Sequence, residues 1–136
     1  MYLLDTNVIS ELRRPRPHGA VVAWFSSVRD SDLYIAAITI GEIQAGIERS
    51  REQNAEKAAE LDVWLGKVLQ TFAILPMDAE MFRLWAKLVH RKSGELYENA
   101  MIAATAIRND LAVVTGNVRD FAFPGVKTLN PFENPK

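Results

Sequence analysis

Tyr2-Leu3-Leu4-Asp5-Thr6-Asn7-Val8-Ile9-Ser10-Glu11-Leu12 changes character at its fourth residue. Tyr2, Leu3 and Leu4 form a short apolar run, the pattern of a buried strand, and the run stops at an acid. From Thr6 onward the apolar residues fall at Val8, Ile9 and Leu12, a helical spacing that Pro15 and Pro17 bring to an end. The same alternation continues downstream. Val21 to Val28 predicts a short helix with Val21, Val22, Phe25 and Val28 on one face, and Leu33 to Ile38 a second strand. Thr39-Ile40-Gly41-Glu42 has capping-box spacing and predicts a helix from there to about Ser50. Residues 52–71 predict a charged amphipathic helix with Ala55, Ala59, Trp64, Leu65 and Val68 turned inward. Phe72 to Leu75 reads as a strand, and Asp78 as the cap of a helix reaching about Arg91. Tyr97 to Asn109 reads as an Ala-rich helix, Leu111 to Thr115 as a fully buried strand, and Val126 to Leu129 as a short last strand. Strands alternating with helices imply a parallel α/β sheet with helices on both faces. In such sheets the ligand site lies beyond the carboxyl ends of the strands.

Bulk properties narrow the class. A chain of 136 residues with 49% apolar and 24% charged side chains reads as a single domain over 1–136. The absence of cysteine excludes disulfides, thiol chemistry and zinc–thiolate sites. There is no basic segment followed by an apolar core at the N-terminus and no apolar run near 18 residues, so the expected location is cytoplasmic. A net charge of −1 argues against a broad nonspecific nucleic-acid binder but not against an enzyme that touches a few phosphates. The basic clusters Arg13-Arg14-Pro15-Arg16-Pro17-His18 and His90-Arg91-Lys92 read equally as solvated surface.

The acids fall where the strand-end rule looks for them. Asp5 directly follows the first strand, Glu42 lies in the first turn of the helix after the second, and Asp120 lies in the loop Gly116-Asn117-Val118-Arg119-Asp120 after Val113-Val114. Asn99 is in phase with Ile102, Ala103 and Ala106, which puts a polar residue on an inward stripe. Carboxylates gathered this way repel one another until a divalent cation compensates them. Hard oxygen ligands suit Mg²⁺ or Mn²⁺, and such an ion supports phosphodiester hydrolysis. Structural roles fit the same residues: Asp5 as a helix cap, Glu42 as the reciprocal acid of the Thr39 capping box, and Asp120 as a turn acid.

Four blocks resemble the signature segments of VapC-type PIN-domain ribonuclease toxins. They are Leu3 to Leu12, Ile40-Gly41-Glu42-Ile43, Ala100-Met101-Ile102-Ala103-Ala104-Thr105-Ala106, and Val114-Thr115-Gly116-Asn117-Val118-Arg119-Asp120-Phe121. They come in the family's order across nearly the whole chain. The resemblance implies a three-layer α/β/α sandwich with a mostly parallel central sheet. It also implies Mg²⁺ or Mn²⁺ and endoribonuclease activity inhibited by a small cognate antitoxin. Further implied partners are an RNA substrate, DNA reached only through the antitoxin, and a second copy in a homodimer or larger assembly. Trp85 and Leu88, with the helix from residue 52, are the candidates for that shared surface. The implied catalytic and metal-ligating positions are Asp5, Glu42, Asn99 and Asp120, supported by Thr6, Thr115 and Asn117.

Two positions depart from the family pattern. Position 99 carries Asn where the family has Asp, which keeps the shape but removes a charge. Neighbouring Glu98 is expected to point away unless the helix starts at or after it, because one residue along a helix turns a side chain by about 100°, so Asn99 is read as a poor stand-in ligand in preference to rescue by Glu98. Gly116 stands where Arg or another polar residue is expected. The alternative function is a catalytically inactive PIN fold retained as a binding partner in an antitoxin–operator complex. A phospho-accepting receiver domain built on Asp5 fits less well, because the second acid of its N-terminal pair is not seen.

Overall fold

The computed structural model describes residues 1–133; residues 134–136, the end of the expected single domain, lie outside the described residues. The elements run β1 (Tyr2–Leu4), α1 (Thr6–Arg13), α2 (Gly19–Ser27), β2 (Leu33–Ala36), α3 (Ala37–Gln53), α4 (Ala55–Thr71), β3 (Ala73–Leu75), α5 (Ala79–Val89), α6 (Tyr97–Arg108), β4 (Ala112–Val114) and β5 (Lys127–Leu129). The five strands lie in the order β3-β2-β1-β4-β5, and every pairing among them is parallel. The chain builds outward from β1 to β3 on one side and then returns to place β4 on the other. The reversal falls between β1 and β4, where a doubly wound sheet opens its ligand crevice.

Period-two alternation sorts the strand side chains into two cores. Leu3, Ala36 and Val113 face α5 and α6. Leu4, Leu33, Ile35 and Val114 face the other way, toward Val8 and Ile9 of α1, Ile43 and Ile47 of α3, and Ala58, Leu65 and Val68 of α4. Trp24 and Phe25 of α2 close the edge of that second layer. The cross-strand pairs Leu3↔Val113 and Leu4↔Val114 keep each face continuous across the switch point. No helix among the described residues is long and apolar enough to cross a membrane.

Several expectations need correction. Thr39 does not open its helix. β2 runs straight into α3 with Ala36 at the cap, so Thr39 is the third helical residue, fully buried, with an unpartnered hydroxyl. Glu42 consequently sits in the second turn of α3 rather than the first. The next helix starts at Ala55 behind an Asn54 cap that accepts from Lys57 N at 3.1 Å. This start turns Ala58 inward and leaves Ala55 and Ala59 exposed. Val22 faces solvent because α2 covers only the sheet's edge. On α1 the buried position beyond Ile9 is Glu11, which accepts from His18 N at 2.9 Å and from Arg14 at 3.3 Å, tying down the proline turn. Leu88 belongs to the core rather than to a shared surface.

Candidate active site

Asp5 is both the first residue beyond β1 and the N-cap of α1, so the strand and the helix together determine where its carboxylate points. Oδ1 accepts from Thr6 N at 2.9 Å, and Oδ2 accepts from Thr115 Oγ1 at 2.9 Å and from Asn7 Nδ2 at 3.2 Å. Thr115 Oγ1 in turn accepts from Asn117 N at 3.0 Å, while Gly116 N donates to Asn7 Oδ1 at 3.3 Å. These bonds lace the segment after β1 to the segment after β4, across the crevice between the two strands. Asn7 was absent from the expected site residues. Its role depends on partners more than a hundred positions away.

Asp120 approaches from the other wall. It lies in the 3-10 turn Val118–Phe121, held by Asp120 N donating to Asn117 O at 3.0 Å and by the buried ring of Phe121. Its charge acts on Asp5. Burial pushes the Asp5 carboxyl above the ordinary range; the hydrogen bonds from Thr115 and Thr6 pull it back, and Asp120 adds to the rise. Asp120 also lines an open polar cleft of about 550 Å³ with Asn117, Arg119, Thr128 and Asn130.

Glu42 reaches the rim from α3. Its carboxyl is pushed up to about 8, first by burial, then by the neighbouring Glu98 carboxyl, and then by the charge of Asp5. Glu42 Oε1 and Thr6 Oγ1 are buried and unpartnered, and both residues line a cavity of about 220 Å³ with Ser10, Arg13 and Trp64. The Arg13 guanidinium stands 5.7 Å over the Trp64 ring, so one member of the first basic cluster serves this cavity. Asn99 is partly buried in the first turn of α6, and the charge of the neighbouring Glu98 acts on Glu42. Glu98 itself is exposed in that turn.

The charge of Asp120 acts on Asp5, and those of Glu98 and Asp5 act on Glu42. Among the described residues no three of them close into a ready-made cation cage. The donor set nevertheless fits a hard divalent ion. It consists of oxygen atoms, two of its carboxyls resist ionisation, and one carboxyl oxygen is buried with nothing bound to it.

Gly116 has a structural cause. A Cβ there would stand 2.9 Å from Cε2 and 3.0 Å from Cδ2 of Phe132, so the aromatic ring fills the space a side chain would take. His18 packs edge-on against the same ring at 5.4 Å between centroids. An arginine at 116 is incompatible with this seat for the C-terminal segment.

The raised carboxyls make metal-free stability depend on pH. A carboxyl with a folded-state pKa above its ordinary value favours the fold when protonated. Stability therefore falls as pH rises from the usual glutamate value of 4.5 toward about 8. In EDTA the melting midpoint is expected to drop from pH 5 to pH 8, and Glu42→Gln to flatten that decline. Equal slopes in the two proteins would show that Glu42 carries no such penalty.

A doubly wound α/β/α sandwich with a carboxylate line at its switch point defines the class of this protein. The chain belongs to the PIN domain family, whose model matches residues 2–124. The VapC ribonuclease Y4jK of Sinorhizobium fredii is 35% identical over 144 residues, covering 98% of this chain and 99% of its own. Toxin FitB of Neisseria gonorrhoeae is 36% identical over 142 residues, covering 98% and 100%. The solved structure of FitAB bound to an IR36 DNA fragment superposes with a TM-score of 0.85 at 32% identity, covering 100% of this chain and 99% of the matched one.

Proposed function

We propose that this single PIN-like domain is a Mg²⁺- or Mn²⁺-dependent endoribonuclease, the toxin of a toxin–antitoxin pair acting in the cytoplasm. The observation that carries the reading is Asp5, buried at the switch point and tied by hydrogen bonds to Thr6, Asn7 and Thr115, with the charge of Asp120 acting on it and its own acting on Glu42. The names of the relatives, a ribonuclease and a toxin, support the activity and the biological role. PIN ribonucleases depend in general on divalent metal.

In this reading Asp5, Glu42 and Asp120 are the ligating and catalytic carboxylates, with the amide oxygen of Asn99 as a neutral donor and Thr6, Thr115 and Asn117 in support. A bound divalent cation supplies charge to offset the acids, acidifies a water and stabilises charge on the phosphoryl oxygen. Asp5, held by three donors, keeps its carboxylate from swinging. Glu42 brings an oxygen free of any internal bond. Asp120, exposed at the polar cleft, meets the RNA backbone side of the site and helps orient the attacking water. The FitAB–DNA complex supports a partner protein through which DNA is engaged. A basic antitoxin side chain, best an Arg, would neutralise the carboxylates and compete with the cation. A homodimer is part of the same reading; half-exposed Phe82 and Tyr97, packed edge-on against Trp85, offer it an aromatic surface.

The test is RNA cleavage by the purified chain in millimolar Mg²⁺ or Mn²⁺ and in EDTA. Cleavage is expected only with the cation. Equal cleavage in EDTA would rule out the metal mechanism, and no cleavage with either ion would favour an inactive PIN fold that works by binding its partner.

A further inference from the structure

We propose that the polar cleft between the Val118–Phe121 turn and the C-terminal segment seats the nucleotide flanking the scissile phosphate, with Arg119 on a backbone phosphate and the Asn130 amide nitrogen donating to the base. This seat rests on the ribonuclease reading above but requires no particular arrangement of the cation.

The two walls of the cleft come from different parts of the chain. Asn117, Arg119 and Asp120 line one, and Thr128, Asn130 and Glu133 line the other, around about 550 Å³. That volume lies in the roughly 300–1,000 Å³ range of small-ligand sites, room for one nucleotide unit. The first wall includes Asp120, whose charge acts on Asp5, so an occupant of the cleft adjoins the acids at the switch point. The second wall lies beyond residue 124, outside the segment that matches the family model.

That second wall is fixed in place. Thr115 N donates to Leu129 O at 2.9 Å, tying the residue before Asn130 to the residue whose hydroxyl holds Asp5. The Phe132 ring fills the space over Gly116 and packs edge-on against His18. Within the turn, Phe132 N donates to Asn130 Oδ1 at 2.9 Å. Only the oxygen of an amide can accept from a backbone N–H, so this bond also fixes which end of Asn130 is left over. The remaining end is Nδ2, two N–H donors on a residue that lines the cleft. On the opposite wall Arg119 is exposed and pairs with no carboxylate among the described residues.

The cleft thus offers a guanidinium on one wall and amide donors, a hydroxyl and a carboxylate on the other. A guanidinium matches phosphate oxygens. The Asn130 donors match a base carbonyl or ring nitrogen. Glu133 repels phosphate from its own wall and can accept from a base amino group or a ribose 2′-hydroxyl. Base edges are open to such contacts where the strand is unpaired, so the nucleotide seated here belongs to single-stranded RNA. A chain with a net charge of −1 also needs its phosphate contacts to be few and local.

The experiment follows cleavage of a random-sequence pool of single-stranded RNA in Mn²⁺, with the cut ends sequenced. Alongside it runs anisotropy of a labelled RNA from the same pool in EDTA, and melting curves check folding. Arg119→Ala is expected to raise KM about tenfold with kcat little changed. It should also reduce the log–log salt slope of RNA binding by about 0.7, the share of one phosphate on a single strand. Asn130→Asp keeps an oxygen for Phe132 N but turns the donors in the cleft into an acceptor. It is expected to raise KM and to change the nucleotide preferred beside the cut, whereas Arg119→Ala weakens all sequences alike. Arg29→Ala removes an exposed arginine that precedes β2, at the opposite end of the strands, and should change neither readout. If the unaltered chain cuts RNA and both cleft variants keep its KM, salt slope and cut-site preference, the proposal alone is overturned and the cleft serves another partner. An unaltered chain that neither cuts nor binds RNA would overturn the ribonuclease reading, and the proposal with it.

Discussion

Asp5→Asn is expected to lower cation-dependent RNA cleavage at least about a hundredfold, equivalent to about 2.7 kcal/mol of transition-state stabilisation. The substitution changes one atom and removes one charge, but Asp5 is the carboxylate on which the others converge. Its Oδ2 accepts from Thr115 Oγ1 and Asn7 Nδ2 together, and its Oδ1 accepts from Thr6 N. An asparagine can satisfy only one of these two faces. Its amide nitrogen must point at a backbone N–H or at the Asn7 amide and the Thr115 hydroxyl, so at least one bond of the lacework between the β1 and β4 segments is lost. The cation would then lose an anionic ligand and a rigid frame at the same time. Fold should survive, because removing a buried charge offsets part of the lost hydrogen bonding. The measurement pairs initial cleavage rates on a fluorogenic RNA with a melting curve. A variant that melts normally and keeps more than a tenth of the activity would remove Asp5 from the centre of the mechanism.

The parts of this arrangement that sequence reasoning reached share one property: local residues determine them. Tyr2-Leu3-Leu4 and Val113-Val114 are apolar runs too short for anything but buried strands, and acids just past such strands lie on the rim by topology alone. Asp78 was legible as a cap because capping is an interaction with the next few residues, here Met81 N at 2.9 Å. The misreadings all concern places where a neighbour distant in sequence decides. Thr39 and Glu42 have capping-box spacing, but β2 leads into α3 without a break, and the box never forms. Asn7 owes its role to Thr115 and Gly116. The inward stripe read from position 99 has Ile102, Ala103 and Ala106 fully buried, with Asn99 itself partly buried in the first turn. Ala100, Ala104 and Thr105 are buried as well, so α6 is enclosed on more faces than the stripe alone implied. Gly116 would have needed knowledge of Phe132, sixteen positions on and across the loop.

Phe121→Ala is expected to cost about 3–5 kcal/mol of stability, the range for truncating a fully buried phenylalanine. For a chain of this size that corresponds to a fall in melting midpoint on the order of 10–20 °C. Phe121 is 1% exposed and packs in the core layer formed by Leu3, Val113 and the alanines of α6. It is also the last residue of the 3-10 turn that carries Asp120, and its carbonyl accepts from Phe123 N at 2.8 Å to turn the chain toward β5. The ring thus anchors to the core a turn whose other members, Val118, Arg119 and Asp120, are exposed. Without it the cavity is only partly refilled, and the turn loses the contact that determines where the Asp120 carboxylate stands. Cleavage should therefore fall as well, even when measured well below the new midpoint, with every carboxylate still present. Val118→Ala is the matched control: it removes an exposed side chain from the same turn and should shift stability by no more than about 0.5 kcal/mol. If Phe121→Ala melts within a few degrees of the unaltered chain, the turn is held by its backbone bonds alone. Asp120 would then need another explanation for its position.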